Sequence, residues 1–186
     1  MNESTKRLLN ELEIFSQENR GFHNIPPDTG QFFYMLVLIS KSKNILEVGT
    51  SNGYSTIWLG EAAQQNKGKV TTIEISEHKV SMARENFKRA RLDKTIKIVH
   101  GDALNEISKL NEKFDFLFLD AIKEDYINYF KLAYPKLTKN AVIVADNAIM
   151  FEKYMKEYLN FVRNNKALKS VLVPIGSGVE FSLKLV

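Results

Sequence analysis

Asn44-Ile-Leu-Glu-Val-Gly-Thr-Ser-Asn-Gly-Tyr-Ser-Thr56 carries a short apolar run through two glycines into an amphipathic stretch, and its reading decides the fold. Ile45–Val48 is too short for a core helix and is followed by a turn-rich loop, so it reads as a buried strand. Ser55–Gln65 then has helical spacing. The same alternation recurs downstream. Apolar runs at Val70–Ile75, Ile96–Val99, Phe114–Leu119 and Ala141–Ala145 alternate with helical patterns at Glu77–Arg91, Asn105–Leu110, Asp125–Lys136 and Glu152–Asn164. Near-continuous apolar strands separated by helices imply a parallel sheet covered on both faces. Right-handed crossovers make it a doubly wound α/β fold. At the end of the chain, Ser170–Ile175 and Val179–Leu185 are joined only by Gly176-Ser177-Gly178. So short a link suits a hairpin, and one strand should therefore run against the rest.

Ahead of the first strand, Leu8, Leu9, Leu12 and Phe15 follow helical spacing up to Gly21. This first helix, ending near Asn19, carries enough apolar surface to pack on a second subunit. Pro26-Pro27-Asp28-Thr29 reads as the start of a second helix with Asp28 as N-cap. The 186 residues fit a single domain, with N-terminal helices over 1–42 and an α/β core over 43–186.

Hydrophobic residues make up 44% of the chain and charged residues 26%, as in ordinary globular proteins. The absence of cysteine excludes a disulfide scaffold, a thiolate metal site and a cysteine nucleophile. Met1-Asn-Glu-Ser-Thr-Lys-Arg7 lacks the apolar centre of a signal peptide. The longest apolar run, Phe32–Ile39, falls well short of the roughly 20 residues that span a bilayer. The expectation is a soluble cytoplasmic protein. A net charge of +4 is compatible with an anionic substrate or RNA, but the lysines are dispersed and form no basic block.

In a doubly wound sheet, ligands bind outside the carboxyl ends of the strands. The Gly49–Gly53 spacing departs from the G-x-G-x-x-G of nicotinamide-binding loops and lacks the Gly-Lys-Ser/Thr of phosphate loops. Glu47 beside it would repel phosphate and attract an ammonium group. Glu74, at the end of the second strand, is placed to accept hydrogen bonds from ribose hydroxyls. Gly101-Asp102-Ala103 follows the third strand and would border an adenine. Each is ordinary turn chemistry alone; in chain order at three successive strand ends they form a specific combination.

The fourth strand ends in Asp120, with Lys123 three residues on, and the fifth in Asp146-Asn147. Two carboxylates and an amide oxygen are hard ligands that suit Mg²⁺ or Ca²⁺. The same residue types serve equally as caps and turn formers. Lys123 reads either as a solvated helix-start lysine or as a general base. His23, His78 and His100 have no metal-ligand spacing.

Ile45–Thr56 resembles the first signature motif of S-adenosylmethionine-dependent methyltransferases. More narrowly, it is similar to the metal-dependent O-methyltransferases related to catechol and caffeoyl-CoA O-methyltransferases. Asp28-Thr-Gly-Gln-Phe32 resembles that family's segment upstream of the first strand, with Thr29 where a glutamate is usual. The resemblance runs from about residue 25 to the end. It implies a Rossmann-like sheet of seven strands, mostly parallel with one antiparallel. It also implies S-adenosylmethionine held by Glu47, Gly49, Thr50, Ser51, Gly53, Ser55, Glu74, Ile75, Asp102, Ala103 and Asp120. A divalent cation (Mg²⁺, Ca²⁺ or Mn²⁺) would sit on Asp120, Asp146 and Asn147, with Lys123 and Asp120 catalytic and Lys123 the general base. A nearby cation would favour the neutral amine. A homodimer and a hydroxylated, catechol-like small-molecule acceptor are implied as well.

The chain departs from the family after Asp146-Asn147. Relatives carry a longer segment there that forms part of a lid. Here Ala148-Ile-Met-Phe151 leads almost directly into the Glu152–Asn164 helix, and an open mouth is expected. One branch of the family methylates 5-hydroxyuridine in the tRNA anticodon, so tRNA is the alternative acceptor. A third reading is an S-adenosylmethionine-binding protein without turnover, against which the intact Asp120, Lys123, Asp146 and Asn147 set stands.

Overall fold

Successive side chains of a strand pass to opposite faces of its sheet, so a strand covered on both sides must be apolar throughout. Phe114–Leu119 shows this: Phe116 and Phe118 enter one core cluster, while Leu117 and Leu119 enter another across the sheet. The computed structural model describes all 186 residues. Its strands are β1 Asn44–Val48, β2 Lys69–Glu74, β3 Ile96–His100, β4 Phe114–Leu119, β5 Leu137–Ala145, β6 Leu168–Val173 and β7 Val179–Lys184. Its helices are α1 Glu3–Glu18, α2 Pro27–Ser40, α3 Tyr54–Gln65, α4 Glu77–Arg89, α5 Ala103–Lys109, α6 Tyr126–Ala133 and α7 Lys156–Asn164.

The strands form one sheet in the order β3-β2-β1-β4-β5-β7-β6. Strands β1 to β5 pair in parallel, and β7 runs antiparallel to both β5 and β6. This is the expected Rossmann-like, doubly wound sheet with one reversed strand. Residues of α1 to α4 share the core on one face, and residues of α5, α6 and α7 share the core on the other. No helix is long and apolar enough to cross a membrane.

Three local expectations are corrected. Helix α2 is entered at Pro26, with Pro27 in the first turn and no side-chain cap; Asp28 Oδ1 instead accepts from the Thr29 amide at 2.7 Å. Proline's fixed φ and missing N–H suit a helix start, which moves it ahead of Asp28. Leu8, Leu9 and Leu12 of α1 are buried in this chain's own core, so that face is not free for a second subunit. Helix α7 begins at Lys156 rather than Glu152. Asn147 adopts a φ of +67°, and the amides of Ala148, Ile149 and Met150 donate to carbonyls of Ser177 and Gly178. The chain from Asn147 to Met155 instead forms successive turns, with Phe151 donating to the Asn147 carbonyl and Tyr154 and Met155 to that of Phe151.

The hairpin is fastened to α7 by a charged pair. Glu180 of β7 is 0% exposed, and Arg163 donates to its two oxygens from Nε at 2.9 Å and from an η nitrogen at 2.7 Å. Arg163 reaches in from the surface, at 38% exposure, so removing it leaves the Glu180 charge buried without a partner. Arg163→Leu is expected to lower unfolding free energy by about 3 kcal/mol, read from urea denaturation. An unchanged denaturation midpoint would contradict this account.

Candidate active site

The parallel ladder continues one rung past the strand ends, and those rungs seat the site. Gly49 donates its amide to the Ile73 carbonyl, Gly101 to Glu74, Asp120 to Val48 and Asp146 to Leu119, at 2.9 to 3.1 Å. The loops so anchored surround a single cavity of about 1000 Å³ at the carboxyl edge.

On one side lies the β1–α3 loop. Gly49 has a φ of +103°, and a Cβ there would sit 2.1 Å from the Asp120 carbonyl oxygen. Main chain therefore touches main chain at this point, and only glycine fits. Ser51 donates its amide to Glu74 Oε2 at 2.8 Å, and Glu74 Oε1 accepts from the Ser76 amide at 2.9 Å. Each carboxylate oxygen keeps further acceptor capacity toward the cavity it lines. The Ser51 hydroxyl is buried without a partner. Ile75, 65% exposed, and Ala103 add apolar wall, while Asp102 caps α5 by accepting from the Asn105 amide at 3.1 Å.

Thr50, Ser51, Ser55, Glu74, Ile75, Asp102, Ala103 and Asp120 all line the cavity with Gly49. Glu47 and Gly53 are not on its wall. Glu47 is 0% exposed beneath the loop, where Ser55, Thr56 and Thr72 each donate a hydroxyl to its carboxylate. The expectation that it faces a ligand ammonium is thus corrected: its oxygens are turned to hydroxyls of α3 and β2. Burial pushes its carboxyl up to about 7, against the pull of those hydroxyls. A Cβ on Gly53 would lie 2.6 Å from the Phe87 ring, so that glycine serves packing against α4.

Across the cavity stand Asp120, Lys123, Asp146 and Asn147. Lys123 Nζ donates to Asp120 Oδ1 at 2.7 Å and to the Tyr126 hydroxyl at 2.9 Å. Asp146 is 3% exposed, and its Oδ1 accepts from Ser177 Oγ at 2.8 Å. Burial first, and the Asp120 charge second, push the Asp146 carboxyl up to about 7. Two carboxylates that repel across a sheltered wall, flanked by an amide, form a hard donor set that fits a divalent cation. Asp120 and Asp146 belong to no cluster of three or more His, Cys, Asp or Glu side chains, so a site here would need oxygen donors of another kind, which the Asn147 amide can supply.

The family model described as O-methyltransferase matches residues 2–185. The chain belongs to the O-methyltransferase family. It is 36% identical over 138 residues to a catechol O-methyltransferase of Niastella koreensis, covering 72% of this chain. That match spans 62% of the Niastella protein's length. It is 30% identical over 176 residues to a caffeoyl-CoA O-methyltransferase of Medicago sativa, covering 82% of this chain and 71% of that one. An O-methyltransferase from Bacillus cereus, solved in complex with SAH, superimposes with a TM-score of 0.85 at 26% identity, over 99% of this chain and 91% of that one.

Within this O-methyltransferase, several wall residues escape sequence reasoning. Ser16, Gln17 and Gly21–Pro26 line the cavity, so the α1–α2 connection covers part of it. Phe22 packs on Phe15 with ring centroids 5.1 Å apart, and Lys79 Nζ lies 5.3 Å from the Phe22 centroid. Met150 and Phe151 add to the wall from the other side. Both segments border the mouth, where Met150 is 67% exposed. Tyr126 was legible only as an apolar helix position, though its place three residues after Lys123 was the available signal.

The raised Glu47 carboxyl has a consequence for stability. Between about pH 4.5 and 7 the folded state holds a proton that the unfolded state has released, so this group's contribution falls as pH rises through that window. Glu47→Gln is expected to flatten the stability–pH slope there by up to about 1.4 kcal/mol per pH unit. Equal slopes for variant and wild type would refute the assignment.

Proposed function

We propose that this protein transfers the methyl group of S-adenosylmethionine to a hydroxyl oxygen of a small catechol-like molecule, assisted by a divalent cation. The observation that carries the reading is the single cavity shared by the Gly49–Ser51 loop with Glu74 and by Asp120, Lys123, Asp146 and Asn147. SAH in the Bacillus cereus structure is the demethylated form of that donor, and the named relatives act on catechol and caffeoyl-CoA.

Glu74 receives the ribose hydroxyls on its remaining lone pairs, and Ile75 and Ala103 flank the adenine. Ser51, Ser55 and Asp120 hold the methionine end, while Glu47 acts beneath them by keeping α3 and β2 joined to the loop. Asp120, Asp146 and Asn147 would hold the cation. The sulfonium supplies an activated methyl, and a bound Mg²⁺, Ca²⁺ or Mn²⁺ lowers the pKa of the acceptor hydroxyl. Lys123, steered by Asp120 and Tyr126, takes the hydroxyl proton. The two walls then hold donor and acceptor in line.

Incubation with S-adenosylmethionine, Mg²⁺ and caffeate should yield a methyl ether detectable by mass spectrometry, and a chelator should abolish it. Turnover indifferent to chelator, or no turnover on any dihydroxy aromatic, would sink the reading. Lys123→Ala is expected to lower kcat by about 10²- to 10⁴-fold while leaving donor affinity near wild type. Glu74→Ala should do the reverse, weakening S-adenosylmethionine binding by about tenfold in calorimetry, the cost of a lost hydrogen bond to a charged group.

A further inference from the structure

We propose that Ser177, in the β6–β7 turn, is a positioning residue that sets the cation-binding geometry of Asp146 and Asn147. The inference rests on the cation site proposed above and assigns a role to a loop whose sequence reads only as a hairpin turn.

Three contacts converge on this loop. The Ser177 hydroxyl donates to Asp146 Oδ1 at 2.8 Å, reaching it from 31 residues along the chain. The Ser177 carbonyl accepts from the amides of Ile149 and Met150, both at 3.1 Å, and the Gly178 carbonyl accepts from Ala148 at 2.8 Å. The backbones also pack directly, since a Cβ on Gly178 would fall 2.6 Å from the Ile149 amide nitrogen. Gly178 has a φ of +89°, so a side chain is excluded by conformation as well as by space.

Asn147 lies between these anchors with a φ of +67°, a left-handed conformation that asparagine enters more readily than most residues with a Cβ. The bonds to Ala148, Ile149 and Met150 hold the turn in place. The side-chain bond to Asp146 commits Oδ1 and fixes the plane of the carboxylate. One loop thereby orients both ligands that β5 contributes, while Asp120 is set separately by β4. Groups of this kind, which bond to a metal ligand without touching the metal, are worth about 10- to 100-fold in metal affinity.

The test uses Mn²⁺ alone as probe, titrated into the protein and followed by electron paramagnetic resonance. Ser177→Ala removes the hydroxyl and leaves the backbone bonds. It should weaken Mn²⁺ binding by about 10- to 100-fold, with a melting temperature within a few degrees of wild type. Ser177→Thr keeps a hydroxyl and should restore most of the affinity. Wild-type affinity in Ser177→Ala would overturn the inference. So would equal loss in the Ala and Thr variants accompanied by a collapsed melting temperature, which marks a structural role. Wild-type protein that binds no Mn²⁺ would overturn the cation site itself, an outcome distinct from both.

Discussion

The last hydrogen bonds of the parallel ladder are the constraint on which everything else here depends. In a parallel sheet all carboxyl ends fall on one edge, and the residue after each strand can still donate its amide to the neighbouring strand. Gly49, Gly101, Asp120 and Asp146 do this. Each is therefore fixed by the sheet although it belongs to a loop. An antiparallel arrangement of the same strands would send half of these residues to the opposite edge. The one reversed strand, β7, brings its turn back to the same edge, which is how Ser177 reaches Asp146.

Gathering acidic side chains at one edge of a protein interior creates an electrostatic difficulty, and each of these four is treated differently. Glu47 is surrounded by hydroxyls and kept from the cavity. Glu74 is met by two backbone amides, from Ser51 and Ser76. Asp120 has a lysine partner. Asp146 has only a serine hydroxyl among side chains, and burial pushes its carboxyl up to about 7. The roles proposed for them follow this order: a scaffold, an acceptor for neutral hydroxyls, and two ligands whose repulsion a cation relieves.

Much of the architecture was legible because burial on both faces writes itself into sequence as unbroken apolar runs. The runs at Phe114–Leu119 and Ile45–Val48 match β4 and β1 to within a residue. That one strand of the terminal pair is reversed was legible because a three-residue link admits little else; that it is β7 comes from the structure. The failures share a cause. The start of α7 was misplaced because residues 151 to 155 form successive turns ahead of the helix, which their spacing does not announce. The burial of Glu47 was hidden because a charged letter does not disclose that three hydroxyls surround it. The cover from Ser16 to Pro26 was hidden because its residues have no periodicity and acquire meaning only when α1 folds over the sheet edge.

The contact between Gly49 and the Asp120 carbonyl bears on how accuracy is inherited. Side chains rotate between rotamers, so a site aligned through them is subject to their disorder. Here the loop proposed to seat the methyl donor and the strand end proposed to seat its acceptor meet backbone to backbone at Gly49 and Asp120. A displacement of one is passed to the other, and their spacing survives exchange of the surrounding side chains. Such a joint lets the acceptor pocket diversify across descendants of the fold while the distance over which the methyl travels stays constant.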